Sequence, residues 1–332
     1  MEFTELVDLA SERLGGRVLA ANDDFFAPKE NLLKSAAPVF VADKYTDRGK
    51  WMDGWETRRR RTPGFDWCVV KLGLPGRIRG VVVDTSFFKG NFPARASLEA
   101  CAADAATSIE SLLASAKSWT EILPETVLIG DSQNRFHITS PERVTHLRFK
   151  IYPDGGVARL RVYGEVLPDW KIIEPADDDV DLAAAENGGV ILSSSDKFFG
   201  APANLILPGP SLGMFDGWET RRRRGPGHDW AVVRLGAAGT IRRVVVETSF
   251  FKGNFPESCS LDACRATADD SAHANLAWTE ILPRAPLEAD ARRVFEKELR
   301  APGEATHVRL NIYPDGGVAR LRIFGRRARH LR

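Results

Sequence analysis

Three strings of chemically capable residues occur twice in this chain of 332 residues. DGWETRRRRTPGFDW, from Asp53 to Trp67, returns as DGWETRRRRGPGHDW from Asp216, 163 positions later, and DTSFFKGNFP from Asp84 returns as ETSFFKGNFP from Glu247 at the same offset. IYPDGGVARLRVYG from Ile151 returns as IYPDGGVARLRIFG from Ile312. A duplicated fold needs only its apolar pattern preserved, yet these blocks keep Trp, Glu, Arg, Lys, Asn and Asp. ATSIESLLASAK and DSAHANLA, where the halves differ freely, keep nothing polar in register. The repeated loops therefore carry the functional information. Arginine forks grip anions, glutamate and histidine move protons, and a Lys-Gly-Asn loop combines a cation with an amide edge.

The length suits two domains of about 160 residues, each able to close its own core, and a repeat of that period is a whole domain and not a stacking unit. The formal net charge of +1 gives no drive toward nucleic acid or an anionic membrane. The start, MEFTELVDLASERLGG, is acidic and amphipathic, unlike a signal peptide, and its first twelve residues read as a short helix. No later stretch is long and apolar enough to span a bilayer. Cys68, Cys101, Cys259 and Cys264 form no CxxC pair or metal-finger spacing. Cys101 and Cys264 are repeat equivalents that fill matching core positions. A reducing, cytoplasmic setting is expected.

The first copy has ten extra residues before Asp53, a polar loop containing KYTDRGKWM. Residues 1–165 and 187–332 are expected as domains, with a solvated acidic linker over 166–186. In HLRFKIY, Leu147, Phe149 and Ile151 alternate with Arg148, Lys150 and Tyr152. Beyond the PDGG turn, Ala158, Leu160 and Val162 alternate with Arg159, Arg161 and Tyr163, which predicts a hairpin. DWCVVKLG and IRGVVVDTSFF read as buried strands. Many short strands with Gly/Pro turns predict an all-β chain, an antiparallel β-sandwich in each half.

DGWETRRRR, PGHDW, TSFFKGNFP, WTEILP and YPDGGVARLR, in this order, resemble the allantoicase family over roughly Leu14 to Gly325. The resemblance implies two tandem jelly-roll, galactose-binding-like domains and a homo-oligomer. It also implies a hydrolase acting on linear amidine C–N bonds, which converts allantoate to (S)-ureidoglycolate and urea in purine degradation.

Allantoate is a small carboxylate whose α-carbon bears two ureido groups. Its site needs a cationic fork, groups matching the urea edges, and an acid or base. Of the Arg58–Arg61 and Arg221–Arg224 runs, alternate side chains face one way, so Arg58, Arg60, Arg221 and Arg223 are the expected clamps. Asn91, Asn254, Trp55, Trp218, Arg159 and Arg320 complete the substrate-binding set. Trp55 and Trp218 equally suit the core, and Asp154 and Asp315 read as turn residues unless they bond Arg159 or Arg320.

The catalytic candidates are Glu56, Glu219, Lys89, Lys252, His146, His307 and His228, with Asp66, Asp229, Glu121 and Glu280 as further proton carriers. A glutamate beside arginine equally suits an ion pair. His228 has Phe65 as its counterpart, so the expectation is a composite or asymmetric site. No organic cofactor is expected, and a divalent metal remains open because no HxH or HExxH occurs. The competing readings are a tandem carbohydrate-binding module and a duplicated assembly protein.

Overall fold

The computed structural model describes residues 2–104, 107–114, 119–139, 142–173, 179–266, 276–300 and 303–328. The chain divides into two compact units, one of Val7–Leu167 and one of Pro168–Arg332 together with Met1–Leu6.

The first unit contains β1 (Val7–Asp8), β2 (Arg17–Ala21), β3 (Tyr45–Thr46), β4 (Gly49–Lys50), β5 (Trp55–Glu56), β6 (Asp66–Asp84), β7 (Arg95–Cys101), β8 (Thr120–Val127), β9 (Gln133–His137), β10 (Val144–Tyr152), β11 (Gly156–Val157) and β12 (Arg159–Val166), with one short helix, α1 (Ile109–Ala114). The two segments expected as separate buried strands are one strand of 19 residues, β6. Its first part, Asp66–Lys71, pairs with β2 and β10. Its later part, Gly76–Asp84, pairs with β12 and β9. One strand thus runs through both layers of a sandwich, with β7 and β8 extending the first layer and β1 the second.

The second unit repeats this plan. After a short helix, α2 (Trp170–Ile173), come β13 (Val180–Asp181), β14 (Val190–Ser194), β15 (Trp218–Glu219), β16 (Asp229–Glu247), β17 (Ser258–Cys264), β18 (Thr279–Pro286), β19 (Arg292–Phe295), β20 (Glu304–Tyr313), β21 (Gly317–Val318) and β22 (Arg320–Arg327). The strand order β13-β22-β16-β20-β17-β18 matches β1-β12-β6-β10-β7-β8 of the first unit.

The alternation in β10 holds: Leu147, Phe149 and Ile151 are buried beneath partly exposed Arg148, Lys150 and Tyr152. Trp55 and Trp218 lie wholly in the core, Trp55 against Phe149 at 6.1 Å between ring centroids. They therefore do not line a substrate site as the sequence set proposed. All four cysteines are buried and none is in a disulfide.

Three expectations fail. The first twelve residues are not a helix but two 3-10 turns flanking β1, because Val7 and Asp8 are drawn into pairing with Gly164 and Tyr163. The stretch across PDGG is not a hairpin. β10 pairs with β6 and β7, β11 turns aside to pair with β5, and β12 continues in the other layer. The linker is shorter than expected. Residues 174–178 lie outside the described residues, but Val180 and Asp181 pair with Gly325 and Phe324, and Leu182–Ala185 are buried. The overlooked signal is VDLA at Val7–Ala10, which returns at Val180–Ala183.

The alternation also fails at Arg159, and at its twin Arg320, which are 1% and 0% exposed. Arg159 donates to Asp53 through Nη2 to Oδ2 at 2.7 Å and Nη1 to the carbonyl at 2.9 Å, and through Nε to the Ala36 carbonyl at 3.0 Å. Asp53 Oδ2 also accepts the Val39 N–H at 3.1 Å. Arg320 does the same with Asp216 and the Gly209 carbonyl, and Asp216 Oδ2 accepts the Leu212 N–H. These arginines pin the loop before β5 or β15 to the sheet and are not substrate ligands. Burial pushes the Asp53 carboxyl up in pKa, but the Arg159 bond and charge and the Val39 N–H outweigh it and hold it below its ordinary value. Truncation would leave a buried carboxylate without its partner. Arg159→Ala should destabilise the first unit by about 3–5 kcal/mol, seen in chemical denaturation as an earlier loss of that unit; an unshifted transition would contradict the assignment.

Candidate active site

Matching Ala36 to Gly209 and Val39 to Leu212 by their shared hydrogen bonds places the ten extra residues between Val39 and Asp53. There Phe40–Met52 stands where the second unit has only Gly213–Phe215. The insertion folds back on itself as the β3–β4 ladder, Tyr45 against Lys50 and Thr46 against Gly49.

Beneath it sits Glu56, fixed by its own backbone. Phe26 and Ala27 donate their N–H groups to the Glu56 carbonyl at 3.2 and 3.3 Å, and Gly156 pairs from the other side. Gly156 is needed there, because a Cβ would lie 1.9 Å from the buried Phe88 ring; Gly317 meets Phe251 in the same way at 2.0 Å. Asn91 Nδ2 donates to Glu56 Oε1 at 2.7 Å, while the Asn91 carbonyl accepts the Gly156 N–H at 2.7 Å. The asparagine of the KGN loop therefore holds both the glutamate side chain and the strand beside it.

Glu56 and Asn91 form part of the wall of a cavity of about 440 Å³, within the range of small-molecule sites. Phe26, Phe40, Met52 and Phe87 line its apolar side, and Lys50, Lys89, Gly49 and Gly90 complete it. Phe87 is held at φ +70° with its N–H on Asp131 Oδ1 at 2.7 Å, and its ring stacks on Phe40 at 5.7 Å. Asp131 Oδ2 lies 3.7 Å from Lys89 Nζ. Burial pushes the Glu56 carboxyl above its ordinary pKa, partly opposed by the Asn91 hydrogen bond. No arginine pairs with it, so the ion-pair reading of this glutamate does not hold.

The second unit keeps the core of this arrangement: Asn254 donates to Glu219, Phe250 takes φ +70° with its N–H on Asp290, and Lys252 lies 4.0 Å from Asp290. Sequence reasoning missed Asp131 and Asp290, although a Leu-x-x-Asp string precedes β9 and β19 alike. It also missed Lys50, Phe26, Phe40, Met52 and Phe87, four of them apolar and so without a chemical signature of their own.

The arginine runs face acids. Arg58 Nε bonds Asp23 Oδ2 at 2.6 Å and its N–H bonds Oδ1 at 3.1 Å. Arg60 donates its N–H to Asp154 Oδ2 at 2.8 Å and Nη1 to Asp66 Oδ1 at 2.7 Å. Arg221 repeats this with Asp196, and Arg223 with Asp315 and Asp229. Asp154 and Asp315 thus fasten the arginine loops, not Arg159 or Arg320. Neither Arg58 nor Arg60 lines the cavity. Each of these four guanidinium groups is paired with an aspartate of its own unit.

The histidines also lie elsewhere. His146 is 2% exposed at the start of β10, opposite Cys101 and Lys71, with Nδ1 2.8 Å from Thr145 Oγ1. The rim lies five residues farther along, where Ile151 faces Asp66, about 17 Å away at strand spacing. Burial, then the nearby Lys71 charge, holds its pKa down. His307 is 1% exposed and meets Thr306 in the same way. His228 sits against Tyr313, with ring centroids 4.8 Å apart, and lies 3.3 Å from Asn311 Oδ1. Its partners are not Glu219 and Asn254, and Phe65 fills the same place against Tyr152 at 5.4 Å. None of the three histidines is placed for catalysis at these glutamates. Among the described residues, no group of three His, Cys, Asp or Glu side chains could hold a metal, and no helix is long and apolar enough to cross a membrane.

The Allantoicase repeat family model matches residues 7–167 and 180–328. The allantoicase of Dictyostelium discoideum is 49% identical over 323 residues, covering 96% of this chain and 87% of that protein. The crystal structure of the Saccharomyces cerevisiae allantoicase superposes with a TM-score of 0.80 at 35% identity, covering 98% of this chain and 96% of that one. A second allantoicase structure gives 0.79 at 36% identity, covering 97% and 94%.

Because the Asn91 N–H favours the ionised carboxylate, removing it should raise the Glu56 pKa further. Asn91→Leu, followed by carbon-13 NMR titration of the glutamate carboxyls, should move the Glu56 midpoint upward from an already raised wild-type position. An ordinary glutamate midpoint in the wild type would refute the burial of this group.

Proposed function

The chain belongs to the allantoicase family, and from that premise we propose that Glu56, held by Asn91 in the first unit's cavity, is the proton-transfer group of its reaction. The chain is a hydrolase that converts allantoate and water to ureidoglycolate and urea, breaking the bond between the α-carbon and one ureido nitrogen. The observation that carries the assignment is a glutamate facing a cavity of substrate size with a neutral amide as its partner.

With Oε1 accepting from Asn91, the proton of the neutral carboxyl resides on Oε2. That proton passes to the departing ureido nitrogen, which cannot leave as an anion, while the water oxygen bonds to the α-carbon and the water's spare proton returns to Glu56. The exchange balances whether the C–N bond breaks before the water oxygen bonds or as it bonds. Lys89 supplies positive charge for a ureido oxygen as negative charge develops. Asn91 Nδ2 is committed to Glu56, so its Oδ1 is the edge that matches a urea N–H.

The further setting follows the same evidence. Four buried cysteines, none in a disulfide, support a reducing, cytoplasmic compartment. β8 and β18, each the terminal strand in its sheet's order, support association into a homo-oligomer.

Glu56→Gln should lower kcat for urea release by roughly 10²–10⁴-fold, with KM little changed. Because the protonated carboxyl is the working form and burial raises its pKa, wild-type activity is full below that raised value and declines as pH rises through it. The residual activity of Glu56→Gln should lack this decline. Wild-type turnover by Glu56→Gln would remove the residue from the mechanism.

A further inference from the structure

We propose that Lys50, brought by the insertion found in the first unit alone, receives the substrate's carboxylate and confines substrate binding to that unit. This rests on the allantoate reading of the cavity and deepens it, because neither the family match nor the duplicated motifs assign a role to the insertion.

The substrate's one full charge is its carboxylate, and Arg58 and Arg60, which do not line the cavity, are paired with Asp23 and Asp66. Two lysines remain on the cavity wall. Lys89 is compensated by Asp131, as its twin is by Asp290. Lys50 faces no carboxylate among the described residues. Its ammonium donates to the Ala42 carbonyl and lies 4.9 Å from the Phe40 ring centroid and 5.1 Å from that of Tyr45. An ammonium has three donors, and the carbonyl uses one. The rings hold the cation against an apolar surface, where attraction for an anion is stronger than in bulk water.

The second unit has no equivalent of this cation. The ten residues that include Lys50 are missing, and Gly213–Phe215 replaces the whole wall. The result is visible on the aromatic residues shared by both rims. Phe26 is 36% exposed, whereas its twin Phe199 is 62% exposed, and Phe215 is 76% exposed. The second rim keeps a glutamate–asparagine pair but neither the enclosure nor the uncompensated charge.

The test uses the full chain with two unreactive probes, ureidoacetate and its carboxamide, as competitors of allantoate turnover. Wild type should prefer the acid by roughly 10-fold or more, the scale of one charge-assisted hydrogen bond, and equilibrium dialysis should find one ureidoacetate per chain. Lys50→Met should bring acid and amide within about 2-fold and raise the allantoate KM by a similar 10-fold, with kcat within about 3-fold. Lys50→Arg should restore most of the preference for the acid, which a merely misfolded loop would not do. Equal inhibition of wild type by acid and amide, no inhibition by ureidoacetate, an undiminished preference in Lys50→Met, or two ureidoacetates per chain would each overturn the proposal. Loss of the proton-transfer assignment would appear instead as turnover by Glu56→Gln, while the acid preference stayed intact.

Discussion

Both rims depend on a buried guanidinium–carboxylate pair. Arg159 with Asp53, and Arg320 with Asp216, put a planar fork inside each sandwich, where it binds a side chain, its backbone carbonyl and a neighbouring loop at once. Such a pair adds little net stability, because both charges are removed from water, but breaking it is costly. Its value here is geometric. A lysine would offer a single point of charge, whereas the fork fixes two chain segments relative to β12 or β22. The tryptophan-glutamate strand follows directly after Asp53 and Asp216, so its position is inherited from that anchor. Trp55 then fills the core and Glu56 is left at the edge, where Asn91 meets it.

Duplication preserved this machinery in both units, and the difference between them is one of enclosure. The insertion adds no new acid to the glutamate site. It adds Phe40, Met52 and Lys50 to the wall of the cavity that Glu56 shares. A carboxyl that is partly desolvated and gains no cation moves upward in pKa, as Glu56 does. The same enclosure strengthens every polar contact made within it. The loop that least resembles anything else in the chain is therefore the one that sets the first unit's rim apart from the second's.

Much of the fold was legible because a period of two leaves an unmistakable mark: Leu147, Phe149 and Ile151 are buried as their spacing requires. The glutamate and the KGN asparagine stood out as separate candidates because both recur, but the hydrogen bond that joins them did not. What misled was charge. Arg58, Arg60 and Arg159 read as anion ligands, but their anions are the chain's own aspartates, and a linear string does not say whether a cation's partner is internal. His146 misled because a strand's direction decides which end meets the rim, and that depends on pairing with β6 and β7. The hairpin across PDGG failed for a related reason. Alternation predicts two strands, but it does not tell whether they pair with each other or enter different layers. The aromatic wall was invisible because Phe26, Phe40 and Phe87 carry no signature that separates a cavity lining from a core.

The central claim is that Glu56, Asn91 and the insertion of the first unit together form the substrate site. A crystal structure of the full chain soaked with ureidoacetate tests it most directly. The account predicts the ligand in the first unit's cavity, its carboxylate on Lys50 Nζ and its ureido group between Glu56 and Asn91, with the second rim empty. Ligand bound at Arg58 and Arg60, or at Glu219 and not Glu56, would contradict it.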